Sequence, residues 1–345
     1  MKEPSIFTID TLETFLKEKY SMKNPRQIAS VIVGSNNVFI VEDEGAKYII
    51  KEIDSNFGQE QALFASKINN FLYESNIPTA KVISNNDSDL IAFHNERSVQ
   101  VQEYVNGDIY LDHECPKWLM KESAEYLAKI NSALDNWEGE KIPEDRRFLV
   151  EFEKEKYIEK FEALISDAEK LDEGDKYKPK ILKDLKYKLS LIENFKNINA
   201  SLDVFTYKNT HGDYNSRQFL CGKDHIQAII DWDRVSNMAA IIELFRSYYQ
   251  EDPETKNNRV NIENLKEYIK TYTQFVPLGK EELEIMPFLH FKKLLRSSFG
   301  YKQYLAGGVR YVEDYIRYGF WRTDTVKYLA ENYEKIGASI KELGK

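Results

Sequence analysis

An α+β fold of two lobes, with strands gathered at the start of the chain and helices over the remainder, is what this 345-residue sequence predicts. Three observations carry that expectation. Short β-branched runs bounded by turn residues recur as far as Tyr104. Apolar residues at helical spacing dominate from Pro116 onward. Chains of this length commonly divide into two cores. The division is placed at 105/106, giving lobes of residues 1–105 and 106–345. The connector is the segment Val105 to His113, which contains the turn pair Asn106-Gly107.

The elements follow in order. Residues 8–20 read as an amphipathic helix with Thr8 or Asp10 as its cap and Leu12, Phe15 and Leu16 as its apolar stripe. Ala29 to Val33 is a strand that stops at Gly34. Val38 to Val41 is a second, and Lys47 to Ile53 a third after the turn Glu42 to Gly45. Residues 58–75 return to helical spacing until Ile77-Pro78 ends the pattern. Lys81 to Ser84, Asp89 to Phe93 and Ser98 to Tyr104 are three further short strands. Residues 118–134 form a helix, and 144–197 form two more around the breaker Glu173-Gly174. Phe219-Leu220 and Ile226 to Ile230 make a hairpin turning at Gly222 to Asp224, and 238–345 is again helical.

Composition narrows the classes of function. Hydrophobic residues are 42% and charged residues 30%, as in folded globular chains. A net charge of −9 argues against a nucleic-acid partner, because neutralising phosphates needs a basic surface. The acidic balance suits a cationic substrate, but most acidic proteins bind none, so it fixes nothing. Cys115 and Cys221 match no metal-ligand spacing and are expected as reduced thiols. The five histidines show neither HxH nor HExxH spacing, so no zinc site is expected. No run approaches the roughly 18 apolar residues of a membrane helix. Met1 to Glu13 has no apolar stretch of the signal-peptide kind. The expectation is therefore a cytoplasmic protein with no membrane partner. The sequence does not give the oligomeric state.

Chemistry concentrates in the stretch THGDYNSRQFLCGKDHIQAIIDWDR, residues 210–234. Asp213 and Asp231 are 18 residues apart, one before and one after the expected hairpin. A hairpin brings its ends together, so Asp213, Gln218 and Asp231 can converge. Phosphoryl transfer asks for such a set. One carboxylate positions the acceptor hydroxyl and takes its proton, a role that fits Asp213. Hard oxygens hold Mg²⁺ against the ATP phosphates, a role that fits Asp231 with the amide oxygen of Gln218.

These residues resemble the aminoglycoside phosphotransferase and choline kinase superfamily, whose fold is protein-kinase-like. HGDYNSRQ stands where that family has an HGDxHxxN-type catalytic loop, and IIDWD where it has its metal-binding segment. The resemblance implies Asp213 as catalytic base, Gln218 and Asp231 as magnesium ligands, and Asp233 as a further acidic residue near the metal. It also makes Glu243 the acidic residue about twelve positions past the metal-binding Asp. Two positions depart from the pattern: Gln218 replaces the usual Asn, and Asn215 the usual His. In the first lobe, Val31 to Val41 resembles a phosphate-covering hairpin, where backbone amides of Ser35, Asn36 and Asn37 are expected to meet phosphates. AKYIIKEI resembles the strand that supplies the ATP-binding lysine, here Lys51, whose apolar neighbours call for an anionic partner. The resemblance points to Glu60 for the carboxylate partner. It also makes Gln102 to Gly107, with Glu103 and Val105, the adenine-proximal hinge, and the helix ending near Asn131 a packing element.

The resemblance implies a nucleotide-binding lobe at 1–105 and a helical lobe with catalytic loop and acceptor site at 106–345. The activity it implies is transfer of the γ-phosphate of ATP, or GTP, with Mg²⁺, to a hydroxyl of a small polar molecule. Such acceptors are of the aminoglycoside, amino alcohol, sugar or homoserine type. The alternative is a non-catalytic, kinase-like structural protein similar to the spore-coat branch of the superfamily. A protein kinase is disfavoured, because no activation-segment motif follows Asp231.

Overall fold

The computed structural model describes residues 3–31, 36–196, 201–307 and 312–345. The chain forms two compact units. The first joins residues 1–111 to 115–143 and 209–237. The second comprises 112–114, 144–208 and 238–345. This grouping differs from a division at 105/106, because the segment holding the two aspartates is compact with the strand-rich residues.

The first unit begins with α1 (Ile9–Tyr20), capped by Thr8 and closed by Ser21 in the left-handed region at φ 53°. Its strands are β1 (Arg26–Val31), β2 (Asn37–Asp43), β3 (Ala46–Glu52), β4 (Val82–Ile83), β5 (Ala92–His94) and β6 (Arg97–Glu103). They form one sheet in the order β1-β2-β3-β6-β4, with β5 also paired to β6. Each pairing is antiparallel. The end of the first expected strand, residues 32–34, lies outside the described residues, as does Ser35. Alternation along β2, β3 and β6 sends Val41, Ile50, Val99 and Val101 to one face, where Leu12, Phe15 and Leu16 of α1 cover them. Glu52 of β3 is fully buried. It accepts from Arg97 Nη1 at 2.5 Å, Ser5 Oγ at 2.7 Å and Asn37 Nδ2 at 3.2 Å. Arg97 also reaches Glu3 at 2.8 Å, so the N-terminal arm is tied to the sheet by charge.

The helix α2 (Gln59–Glu74) follows β3, and α3 (Lys117–Leu134) packs Leu119, Ala124, Leu127 and Leu134 into the interior of the same unit. Strands β8 (Phe219–Cys221) and β9 (Ile226–Ile229) form the expected hairpin, its turn closed by Gly222 N donating to His225 O at 2.8 Å. The loop before it leaves β7 (Tyr207–Thr210), and the segment after it enters β10 (Ser236–Ala239). Both cysteines are buried and neither is in a disulfide.

The second unit is helical. It contains α4 (Lys154–Glu169), α5 (Lys178–Glu193), α6 (Ala240–Glu251), α7 (Ile262–Thr273), α8 (Lys280–Leu295), α9 (Tyr301–Ala306) and α10 (Val312–Ile340). α4 and α5 are the two helices expected around Gly174. Asp184 of α5 is buried and fully served, by Lys180 and Lys327 at 3.0 Å each and by the Tyr301 hydroxyl at 3.1 Å. Among the described residues no helix is long and apolar enough to cross a membrane.

Candidate active site

Lys51 shows how the strand pattern builds the site. It lies on the face of β3 opposite the α1 core, and nearly all of its side chain is buried. A buried ammonium needs anions, and here it has two. Lys51 Nζ lies 2.8 Å from Asp231 Oδ1 and 2.8 Å from Asp233 Oδ2. Burial alone would lower the lysine pKa, but Asp233 and Asp231 outweigh it and hold the pKa above its usual value. Burial likewise pushes the Asp231 carboxyl upward, and the charge and hydrogen bond of Lys51 bring it below the usual range. The expected partner, Glu60, is not the one used. It is exposed in the first turn of α2, where a carboxylate meets the helix N-terminus, and α2 reaches the acidic segment through Gln61 Nε2, 3.4 Å from Asp233 O.

The backbone places the two aspartates. Asp231 is left-handed, at φ 70° and ψ 58°, a conformation that Asp tolerates better than most residues and that turns the chain sharply out of β9. The turn of residues 232–234 that follows is anchored by Trp232 Nε1 donating to Ile229 O at 3.2 Å. Gly212, at φ 82°, passes so close to Arg234 that an added Cβ would meet Arg234 O at 1.8 Å. A glycine is therefore required there on two counts.

His211 joins the loop to the strand. It is fully buried, and its Nε2 lies 2.9 Å from Ile230 O while Nδ1 accepts from Asp213 N at 3.2 Å. That pair of contacts selects the neutral ring with its proton on Nε2. Gln218 O accepts from Ile230 N at 2.9 Å, which sets residue 218 beside the end of β9. Asn215 Nδ2 donates to Asp213 O at 2.7 Å, and its Oδ1 accepts from Arg217 N at 3.1 Å. Asn215 thus shapes the loop through its own backbone. The half-buried Asp213 follows directly from these restraints. α3 braces the same loop: Tyr214 OH donates to Ser123 O at 2.9 Å, and Asn131 Nδ2 to Asn209 O at 2.8 Å.

The remaining expected residues divide. Asn36 is buried, with its Oδ1 accepting from Asp54 N at 2.9 Å, and Asn37 donates to Glu3 O and to Glu52. Both side chains are thus committed inside the protein. Glu103 N donates to Lys81 O at 2.9 Å, and the half-buried Val105 follows on the connector. Just beyond it, Asp108 and Cys221 exchange backbone hydrogen bonds of 2.9 and 2.8 Å, which lays the connector along β8. Glu243 is buried in α6 and paired with Arg246 at 3.0 Å. Sequence reasoning missed the anchoring role of His211, the contact made by Gln61 and the buried Glu52–Arg97 pair. Only the first had a signal, in its place beside Gly212 and Asp213.

The donor set fits magnesium. Among the described residues no cluster of three His, Cys, Asp or Glu side chains forms a cage. Two carboxylates that already converge on a cation, with an amide oxygen nearby in sequence, suit an ion that takes one or two carboxylates and completes its shell with phosphate and water.

Similarity to known proteins agrees with this geometry. The model of a family described as a phosphotransferase enzyme family matches residues 30–274, or 245 of 345 residues. No curated protein matches the sequence. Among solved structures, a spectinomycin phosphotransferase in complex with ADP and spectinomycin is 15% identical. The likeness covers 98% of this chain and 100% of that one, with a TM-score of 0.62. An amicoumacin kinase in complex with AMP-PNP and Ca²⁺ is 15% identical over 93% and 94%, with a TM-score of 0.64. A microcompartment-associated aminopropanol kinase is 11% identical over 96% and 99%, with a TM-score of 0.62. At these identities the likeness shows the fold, which is protein-kinase-like.

Proposed function

The chain belongs to the phosphotransferase enzyme family, and from that premise we propose that it moves the γ-phosphate of ATP to a hydroxyl of a small polar molecule. The observation that carries this reading is the Lys51 ammonium held between Asp231 and Asp233, beside a loop that His211 ties to the same strand end. A lysine charged by two carboxylates is ready to exchange them for phosphate oxygens. Asp231, Asp233 and the amide oxygen of Gln218 would then hold Mg²⁺, which when bound neutralises charge on the transferring phosphate. Asp213 orients the acceptor hydroxyl and takes its proton. The solved relatives, a spectinomycin phosphotransferase, an amicoumacin kinase and an aminopropanol kinase, support a small hydroxylated acceptor.

The test separates binding from chemistry. With ATP at about a hundred times its dissociation constant, binding adds roughly 2.7 kcal/mol. For an unfolding entropy of about 2.1 cal/mol/K per residue, that raises the midpoint of a 345-residue chain by about 3–4 °C. The shift is expected to require Mg²⁺ and to vanish in Asp231→Asn. Asp213→Asn is expected to keep the shift and to lose about 10²–10⁴-fold in turnover with a true acceptor. Absence of any shift with ATP or GTP would leave the fold with a non-catalytic role.

A further inference from the structure

The second unit contains a cavity of about 430 Å³, within the range of small-molecule sites. Its walls come from residues 147–160, the end of α8 and the middle of α10, and cations dominate them. Two of the lining cations are neutralised at the rim: Lys156 pairs with Glu153 at 2.7 Å and Arg147 with Asp145 at 2.7 Å. Lys160, Arg296 and Arg322 differ. Among the described residues no carboxylate stands within ion-pair distance of any of them. Lys160 donates to Arg296 O at 3.0 Å, and Arg296 to Arg147 O at 2.6 Å. Carbonyls satisfy N–H groups but bring no net charge. Among the described residues Arg322 Nε is buried without a hydrogen-bond partner, and its guanidinium lies over the rings of Phe299 and Tyr318, at 5.7 and 5.5 Å.

Behind this wall stands a fourth cation. Lys188 of α5 is buried, and its ammonium is held by Leu294 O at 2.9 Å and Ser297 O at 2.5 Å. Burial together with Arg322 and Lys160 drives its pKa far down. Lys160, Arg296 and Arg322 are each lowered in turn by burial and by neighbouring cations. Such an arrangement opposes folding, because like charges are brought together out of water with no carboxylate in direct ion-pair contact, Asp145 acting on Arg296 only from a distance and Glu151 and Glu153 lining the same cavity. Asp184 in the same unit shows the opposite treatment, a buried charge with three partners. The ring of Phe148 lines the cavity, and the Arg296 guanidinium lies 4.6 Å from its centroid. The cavity thus offers an apolar wall beside a group of cations.

We infer that this cavity is a binding site for the oxyanion of a small molecule, a phosphate or carboxylate group carried beside an apolar or flat portion, with Lys160, Arg296 and Arg322 as its recognition groups. Guanidinium groups take such anions in paired hydrogen bonds, and Arg322 Nε has one to give. The inference rests on the second unit alone and stands whether or not the phosphotransfer reading does.

The first experiment is equilibrium dialysis of the full chain with radiolabelled inorganic phosphate, at low ionic strength and without nucleotide or magnesium. One saturable site is expected, with citrate competing. Arg322→Gln and Lys160→Gln should each weaken it at least tenfold. Lys156→Gln, at the rim, and Lys51→Met, in the other unit, should leave it unchanged. Because each substitution relieves repulsion, Arg322→Gln and Lys160→Gln should unfold at the same temperature as the parent or a higher one in the absence of anion. A purely structural role predicts a lower midpoint and unchanged phosphate affinity. No saturable binding, or binding lost in Lys51→Met and kept in Arg322→Gln, overturns the assignment. A panel of phosphate monoesters and dicarboxylates with ATP then separates the two sources of the anion. A compound that is consumed with ADP release carries it as the acceptor, and one that binds unchanged carries it as an effector.

Discussion

Lys51 answers to two carboxylates rather than one, and this decides how the site responds to pH. The Asp231 carboxyl has a lowered pKa in the folded chain, so its contribution to stability is complete above the unfolded value of about 3.9. It is lost as pH falls through the folded value. The Lys51 ammonium has a raised pKa, so its contribution is complete below the unfolded value of about 10.4 and is lost as pH rises through the folded value. Both are therefore present in full from about pH 4 to 10. Lys51→Met removes the cation that outweighs burial, and the Asp231 pKa should then rise above its ordinary value. Relative to the parent, the urea midpoint of the variant should increase on acidification from about pH 6 toward 4.5. A constant difference between the two would show that Asp231 does not depend on the lysine. At the same scale, His211 is placed by hydrogen bonds at both ring nitrogens, so its task is to hold the loop and strand in register rather than to shuttle a proton.

At the scale of elements, the sheet is fixed on one face by apolar packing and at one end by charge. α1 covers Val41, Ile50, Val99 and Val101, as strand alternation and helical spacing require. The N-terminal arm is held differently, through Glu52 and Arg97. Removing one member of a buried pair leaves the other uncompensated, at a cost of about 3–5 kcal/mol. Arg97→Ala should therefore lower the unfolding free energy by roughly that amount in urea titration. A loss below about 1 kcal/mol would mean that Ser5 and Asn37 suffice for Glu52. Because Asn37 and β3 share this cluster, weaker nucleotide binding should accompany the loss. α3 has the corresponding task for the loop: Tyr214 OH of the loop donates to Ser123 O of α3, and Asn131 Nδ2 of α3 donates to Asn209 O.

At the scale of the whole molecule, the two compact units carry different ligands in this reading, a nucleotide in the first and an oxyanion in the second. Amide hydrogen exchange should separate them. MgATP should slow exchange in Ile226 to Asp233, and inorganic phosphate should slow it around Lys160 and Arg296, each with little effect on the other segment. Protection of both by one ligand would contradict separate sites. Much of this protein was legible in its sequence. Periods of two and of 3.6 gave the strands and helices, since each follows from which face must be covered. The string from His211 to Asp233 gave the candidate chemistry, because the turn at Gly222 dictates which residues converge. The partner of Lys51 was not legible. Glu60 is near in sequence, yet Asp231 and Asp233 lie 180 and 182 residues away and reach the ammonium only through pairing and burial. The cavity at Lys160, Arg296 and Arg322 was equally hidden, since three cations from three helical regions read as ordinary surface charges until packing sets them together. Local periodicity and turn chemistry are properties of neighbours along the chain, whereas counter-ion pairing is a property of neighbours in space, and only the tertiary structure decides it.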